Sequence, residues 1–150
     1  MKIDLGPFDL RYADAIADIE KDSFSDPWSK EAFISSATSP FTDITVALFY
    51  EGSVPTVCGY SVTVSLPPEC EILNIAVARD QRRKGIAELL IQDIAERASK
   101  NGCDTLMLEV RISNLAARAL YEKLGFEAVG IRKAYYRYPT EDAILMDKRL

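Results

Sequence analysis

A chain of 150 residues with 48% hydrophobic and 27% charged side chains has the size and composition of one globular domain, so we predict a single domain over 1–150. Its net charge of −5 argues against sequence-independent nucleic-acid binding, which depends on a basic surface. The apolar runs are far shorter than the ~20 residues that cross a bilayer, and the N-terminus lacks the apolar core of a signal peptide. We therefore predict a cytoplasmic protein without a membrane or nucleic-acid partner.

The chain has no histidine, and this absence narrows the chemistry considerably. It excludes Ser-His-Asp hydrolysis, Cys-His proteolysis and most zinc catalysis. A general base must then be a carboxylate, Lys, Tyr, Cys or a water held by one of them. The three cysteines, Cys58, Cys70 and Cys103, are widely spaced and form neither a disulfide framework nor a metal-binding pair. We predict that they are small core residues and that no metal is bound.

The first half of the chain predicts two helices between strands. Ile16, Ile19 and Ser23 recur at helical spacing, and Ser29 follows a turn at Asp26-Pro27-Trp28 as the N-cap of a second, short helix. The elements predicted here are a strand over 3–10, a helix over 14–23, a helix from Ser29 through Ile34, and a hairpin of strands over 43–50 and 56–64.

The second half alternates strands with helices, which predicts at least one pair of parallel neighbours in a mixed sheet. The fold class is therefore α/β of the α+β type, without the regular alternation of a doubly wound domain. In the first strand of this half, Leu73, Ile75 and Val77 are expected to share a face with Glu71. The predicted elements are a strand over 71–77, a helix over 86–100 with a stripe of Ile86, Leu89, Leu90, Ile94 and Ala98, a strand over 105–110, a helix over 114–124, and strands over 126–138 and 143–149.

A basic turn at 82–87 lies where a strand passes into a helix. The first turn of a helix leaves backbone N–H groups unpaired and carries partial positive charge, so it can hold a phosphate. Gly85 allows a close approach to the anion, and Arg82, Arg83 and Lys84 add charged donors. The glycine patterns of a P-loop and of a Rossmann turn are both missing. The alternative interpretation is a solvated basic helix start.

Two motifs in order resemble the signatures of the Gcn5-related N-acetyltransferases, the GNAT superfamily. The first is Arg82-x-x-Gly85-x-Ala87 after Ile75-Ala76-Val77. The second runs from Leu108-Glu109-Val110-Arg111 through Ser113-Asn114 and Tyr121 to Gly125-Phe126. The Glu-Val-Arg form, together with Pro27-Trp28-Ser29, Tyr135-Tyr136 and Glu141-Asp142-Ala143, is similar to the bacterial ribosomal-protein-alanine N-acetyltransferases of the RimI type. The stretch 136–141 departs from the usual spacing, which leaves the shape of the acceptor loop open.

This resemblance implies a mixed central sheet with a splayed parallel strand pair and about four flanking helices, and acetyl-CoA as cosubstrate. Its pantetheine arm would pair with the backbone of Ile75, Ala76 and Val77. Asn114 would contact the arm, although it is equally suited to be a plain N-cap. The pyrophosphate would be held by Arg82, Arg83, Lys84, Gly85, Ile86 and Ala87.

The same resemblance supplies candidates for catalysis. Tyr121 is the candidate general acid, since a phenol with a pKa near ~10 is protonated at neutral pH. Glu109, which interrupts an apolar strand, is the candidate base, and its alternative role is an ion pair with Arg111 or another cation. Glu71 on the neighbouring strand is the competing base. Candidate walls of an acceptor channel are Trp28, Tyr135, Tyr136 and Tyr138.

The acceptor implied by this resemblance is the N-terminal α-amino group of a ribosomal protein. An α-amino group has a pKa of about 7.7–8.0 and needs only a modest base, whereas that of lysine is near ~10.4. The alternatives are a lysine, a polyamine or a small-molecule amine as acceptor. A further alternative is an acyl-CoA-binding module without turnover.

Overall fold

The computed structural model describes residues 2–150, in which one seven-stranded mixed sheet is flanked by four α-helices. The strands are β1 (Asp4–Pro7), β2 (Thr42–Glu51), β3 (Val54–Leu66), β4 (Glu69–Val77), β5 (Thr105–Arg111), β6 (Glu127–Tyr136) and β7 (Glu141–Arg149). The helices are α1 (Ala13–Ser23), α2 (Lys30–Ser36), α3 (Ile86–Lys100) and α4 (Leu115–Lys123). The predicted fold class is confirmed.

The first strand is shorter than the predicted 3–10. It ends at Pro7, and a 3-10 helix follows over Leu10–Tyr12. The Asp9 carboxylate accepts a hydrogen bond from Arg11 N (2.9 Å), so it caps this turn, and the buried Tyr12 ring anchors it. The second helix begins as predicted, because Ser29 Oγ accepts from Ala32 N (3.1 Å).

The sheet opens between two of its central strands. The strand order is β1-β2-β3-β4-β5-β7-β6, and β4 and β5 are parallel neighbours. Their pairing runs only from Glu69 opposite Thr105 to Ile72 opposite Leu108. Beyond that point β4 continues to Val77 without pairing to β5, while β5 stays paired with β7. The strands therefore diverge, and a gap opens at their carboxyl ends.

A β-bulge at Leu73 marks the start of this gap. Ile72 and Asn74 pair with consecutive residues of β3, so Leu73 is the extra residue. The bulge reverses the alternation of side chains along β4. The prediction that Glu71 shares a face with Leu73, Ile75 and Val77 is therefore wrong, because Ile75 packs against α3 while Glu71 points to the opposite face.

The two faces of the sheet carry separate cores. Helices α3 and α4 cover one face, and α1 and α2 cover the β2–β4 part of the other. The three cysteines are buried in these cores, as predicted. The buried stripe of α3 differs from the prediction in one position, because Ile91 is buried and Leu89 is only partly so. None of the helices in residues 2–150 has the length and apolarity needed to cross a membrane.

Candidate active site

The turn before α3 has the conformation that an anion site requires. Gly85, the residue before the helix, has φ +78°, and Arg83 has φ +65°, so both lie in the left-handed region. No side chain caps the first turn of α3, which leaves its backbone N–H groups open. Ile86 is buried in the core, so it can offer a ligand only its backbone. A Cβ at Gly85 would meet no atom within 4 Å, which shows open space above the turn.

Two basic side chains of this turn, those of Arg82 and Lys84, have partners in the protein. Arg82 Nε donates to the Val77 carbonyl oxygen (3.1 Å), and its Nη2 donates to Ser23 Oγ (3.2 Å). Lys84 Nζ donates to Gln81 Oε1 (2.9 Å). Arg82 therefore ties the turn to the end of β4 and to α1, and Lys84 adds a contact within the turn.

Beyond the bulge, β4 presents backbone groups to the gap. Antiparallel neighbours alternate between pairs that exchange hydrogen bonds and pairs that do not. Ala78 N donates to the Cys58 carbonyl oxygen of β3 (2.8 Å). By this alternation the backbone of Ala76 also bonds to β3, while the backbone N–H and C=O groups of Ile75 and Val77 point toward the gap. The contact from Arg82 to the Val77 carbonyl agrees with this direction. The Ala76 backbone is thus engaged within the sheet, and the backbone groups of Ile75 and Val77 face the gap.

Asn114 lies at the start of α4. Its Oδ1 accepts a hydrogen bond from Ala117 N (3.2 Å), which is the N-cap geometry expected of it. The cap fixes the start of the helix that carries Tyr121. A contact between Asn114 and a ligand stays a prediction.

Tyr121 is the buried residue of α4. It is 8% exposed, and its ring packs edge-to-face on Phe126 with 5.7 Å between centroids. Burial raises the pKa of Tyr121 to about 12, so the phenol keeps its proton at any physiological pH. Among residues 2–150, only Ser61 Oγ is a fully buried side-chain oxygen without a hydrogen-bond partner. The Tyr121 hydroxyl is therefore not a fully buried group that lacks a partner.

Glu109 forms an ion pair, but not with its neighbour on the strand. Its Oε1 lies 3.1 Å from Arg132 Nε on β6, and its side chain is 16% exposed. Arg111 instead pairs with Glu141 (3.1 Å). A hydrogen bond from the Tyr135 hydroxyl to Glu109 raises the pKa of Tyr135. The carboxylate thus has an ion-pair partner in Arg132 and a neighbouring phenol in Tyr135, both on β6.

Glu71 shares the face of Glu109. Burial first, and then the negative charge of Glu109, raise the pKa of Glu71, while Arg132 opposes the rise. The two candidate bases therefore interact, and one guanidinium serves both.

The predicted aromatic walls occupy different environments. Trp28 packs on Phe33 with 5.3 Å between ring centroids, and Tyr138 is exposed. The Tyr135 and Tyr136 rings pack edge-to-face at 5.0 Å. Burial and then the charge of Glu109 raise the pKa of Tyr136, with smaller effects of Tyr135 and Tyr121. Both candidate catalytic residues therefore lie within electrostatic reach of the Tyr136 phenol.

Sequence reasoning missed Glu20, the most deeply buried carboxylate in the described residues. It is 1% exposed on α1 and accepts hydrogen bonds from Trp28 N (2.8 Å), Asn74 Nδ2 (2.9 and 3.2 Å) and the Tyr60 hydroxyl. This network joins α1, the bulge of β4 and the segment before α2. The sequence did contain a signal for the burial of Glu20, namely its spacing. Glu20 follows Ile16 by four residues and so lies on the apolar stripe of the helix.

The site combines an open helix start with a free strand edge in a gap between diverging strands. A carboxylate and a phenol lie near that gap. These features suit an elongated anionic acyl donor whose reactive end enters the gap. The chain belongs to the Acetyltransferase (GNAT) family, which matches residues 13–126. It is an acetyl-CoA-dependent N-acetyltransferase. No group of His, Cys, Asp and Glu in residues 2–150 is arranged to hold a metal.

The relatives define a narrower group within the family. The chain is 37% identical over 132 residues to the [Ribosomal protein bS18]-alanine N-acetyltransferase of Escherichia coli K12, covering 85% of this chain and 84% of that protein. The enzyme of the same name from Salmonella typhimurium is 34% identical over 85% and 84% of the two chains. The crystal structure of the ribosomal-protein-S18-alanine N-acetyltransferase from Escherichia coli superposes with a TM-score of 0.86 at 31% identity, over 99% of this chain and 94% of that one.

Proposed function

We propose that this enzyme acetylates the N-terminal α-amino group of a ribosomal protein. The observation that carries the proposal is the 37% identity, over 85% of the chain, to a ribosomal-protein-alanine N-acetyltransferase. The chemistry agrees, because an α-amino group with a pKa of about 7.7–8.0 is partly neutral at physiological pH and needs only a modest base. A carboxylate is such a base, and the chain has no histidine to replace it.

Acetyl-CoA binding is assigned to the turn before α3 and to the free edge of β4. The pyrophosphate fits the open N–H groups of residues 85–87, and Arg82, Arg83 and Lys84 border that turn. The pantetheine arm fits the gap beside Ile75 and Val77. The sequence led us to expect that Ile75, Ala76 and Val77 would all pair with the arm. The proposal keeps only Ile75 and Val77, because the Ala76 backbone is engaged by β3.

Glu109 is the proposed base. In the reaction the acceptor nitrogen bonds to the thioester carbon and the carbon–sulfur bond breaks, so one proton must leave the nitrogen and one must reach the sulfur. Glu109 receives the first, directly or through a water. Arg132 and Tyr135 orient the carboxylate from one side. The competing base is Glu71, whose raised pKa makes it a stronger proton acceptor when ionised.

Tyr121 is the proposed donor to the sulfur. With a pKa of about 12 it is fully protonated in the resting enzyme. A thiol has a pKa near ~8.5 and is thus the stronger acid, so the phenol acts first as a hydrogen-bond donor to the developing thiolate. Any tyrosinate formed by complete transfer would regain a proton quickly at neutral pH.

The acceptor is tested with labelled acetyl-CoA and pairs of synthetic peptides that carry one internal lysine. One peptide of each pair has a free N-terminal alanine, and the other is blocked there. We expect label on the α-amino group of the free peptide only, located by mass spectrometry, and little label with Tyr121→Phe. Label on the lysine of both peptides would replace the proposal with lysine acetylation. Label on neither, with turnover of a polyamine, would move the acceptor to small amines.

A further inference from the structure

Arg111 ends β5 two residues beyond Glu109, and its guanidinium joins loops that are far apart in the chain. Nη2 donates to Ser25 Oγ (3.0 Å) and to the Arg137 carbonyl oxygen (2.7 Å). Nη1 donates to the Pro139 carbonyl oxygen (2.9 Å) and to Glu141 Oε2 (3.1 Å). Residues 24–29, here called the α1–α2 segment, and residues 137–140, the β6–β7 turn, are thus held by one side chain.

The shape of the Arg111 side chain explains how it holds the two loops together, a connection that we call the joint. A guanidinium is planar and has five donors in a fixed fork, whereas an ammonium is a single point with three. The Arg111 guanidinium also lies over the Tyr136 ring, 4.6 Å from its centroid. Its side chain is only 21% exposed, so water competes weakly for these contacts.

Other contacts between the two loops are weaker or indirect. Arg137 Nη2 lies 3.0 Å from Asp26 Oδ2, but the two side chains are 69% and 48% exposed, and such surface pairs contribute little. Glu141, which accepts a hydrogen bond from Arg111, is itself oriented by a hydrogen bond from Ser113 N (2.5 Å). Arg111 is therefore the partly buried centre of the arrangement.

We propose that Arg111 is a positioning residue that fixes the distance between the α1–α2 segment and the β6–β7 turn, and thereby determines how well the acceptor chain binds. The inference rests on the proposed function in one respect: the acceptor enters between these loops, beside Glu109. Arg111 does not take part in the chemistry. Its loss widens the entrance without moving the turn that holds the cofactor.

Kinetics of Arg111→Gln and Arg111→Lys test this role. We expect the KM for the acceptor peptide to rise roughly tenfold in both variants, since misplaced binding groups can cost that much or more. The kcat should fall less, and the dissociation constant of acetyl-CoA should stay within about twofold of wild type. The matched control is Arg118→Gln, because Arg118 donates to the Ile112 carbonyl oxygen (2.7 Å) outside both loops and should change neither constant.

Hydrogen exchange tests the joint without any assumption about the acceptor. In Arg111→Gln we expect faster exchange in the α1–α2 segment and the β6–β7 turn together, with unchanged exchange in α3. The double variant Ser25→Ala/Asp26→Asn removes contacts on one loop and leaves Arg111 in place. It therefore tests the connection between the loops even if Arg111→Gln fails to fold. It should raise the acceptor KM by about twofold to fivefold.

Each outcome decides a different point. Faster exchange in both loops with an unchanged acceptor KM would keep the joint and overturn its role in binding. An equal loss of acetyl-CoA affinity and acceptor affinity, or faster exchange in the whole protein, would reduce Arg111 to a general structural residue. If wild type acetylates no peptide, the proposed acceptor is wrong, and exchange alone still decides whether the joint exists.

Discussion

The proposed cofactor side and the proposed acceptor side of the gap are built in different ways. The turn before α3 is made from six consecutive residues, and its conformation follows from a glycine at φ +78° and a helix start without a cap. The acceptor side is made from segments that are distant in sequence. Arg111 contacts Ser25 from 86 residues away, and Arg137 contacts Asp26 from 111 residues away.

This difference explains why one side can be recognised in a sequence and the other cannot. A local turn specifies its own backbone through residue type, so its motif carries the geometry. A joint between distant loops depends on where each strand ends, which the sequence of either loop does not contain. The proposed catalytic residues Glu109 and Tyr121 belong to neither side, so the variants below separate effects on chemistry, on cofactor binding and on acceptor binding.

The largest expected effect is that of Tyr121→Phe. We expect kcat to fall by about 100-fold or more, the scale of a lost general acid, with acetyl-CoA affinity unchanged because the ring still packs on Phe126. Steady-state rates and calorimetric titration measure the two quantities. Since the pKa of Tyr121 is about 12, wild type should show no alkaline loss of activity from this group below roughly pH 11. Unchanged turnover would remove Tyr121 from the mechanism.

Next comes Glu109→Gln, compared with Glu71→Gln on the same face. We expect kcat/KM to fall by roughly 10- to 100-fold in the first variant, and most at low pH, where more of the acceptor amine carries a proton. Measured pH profiles of both variants decide between the carboxylates. The pKa of Glu71 is raised, so if Glu71 were the base, the acidic loss of activity would begin at a higher pH than for an ordinary carboxyl. A larger loss in Glu71→Gln would exchange the two roles.

A matched pair of glycine variants tests the cofactor side alone. Gly85 and Gly102 have φ of +78° and +88°, and an added Cβ meets no atom within 4 Å at either position. Alanine should therefore cost about 1 kcal/mol of unfolding free energy in both. Only Gly85→Ala should also raise the dissociation constant of acetyl-CoA, by about tenfold, because its methyl group occupies the space above the turn. Equal affinities in the two variants would place the pyrophosphate elsewhere.

The smallest expected effect is on the acceptor side, in Glu141→Gln. Hydrogen bonds from Ser113 and then Arg111 hold the pKa of Glu141 below its usual range. A lowered pKa means that the ionised carboxylate stabilises the fold at neutral pH, and that this contribution is lost as the pH falls through the folded-state pKa. The variant should melt slightly below wild type at pH 7, and the difference should shrink below about pH 4. The exposed Glu127→Gln serves as the control, and a difference that grows in acid would contradict the assignment.

Much of the fold was predictable because periodicity and turn residues act locally. The second half was predicted closely, including α3 and its closing Asn101-Gly102, since strongly amphipathic helices with clear ends carry their own signal. The bulge at Leu73 was not predictable, because an extra residue in a strand is defined only against its partner β3. It places Ile75 and Val77 on the face opposite to Glu71.

Within the site, the candidates Glu109 and Tyr121 were found by motif, whereas their partners were not. The ion pair of Glu109 with Arg132 depends on the register between β5, β7 and β6, which places Ala143 opposite both Arg111 and Arg132. The same holds for Glu20, whose three donors come from three other parts of the chain.

The sequence by itself determined the fold class, the basic glycine turn before α3 and the absence of histidine chemistry, because these follow from residue types over short stretches. Only the tertiary structure decided where along β4 and β5 the strands diverge, which cation pairs with each carboxylate, and how the α1–α2 segment and the β6–β7 turn are joined. The physical reason is that a buried charge must find partners wherever the packed chain supplies them. Those partners lie far away in sequence, so packing rather than local preference selects them.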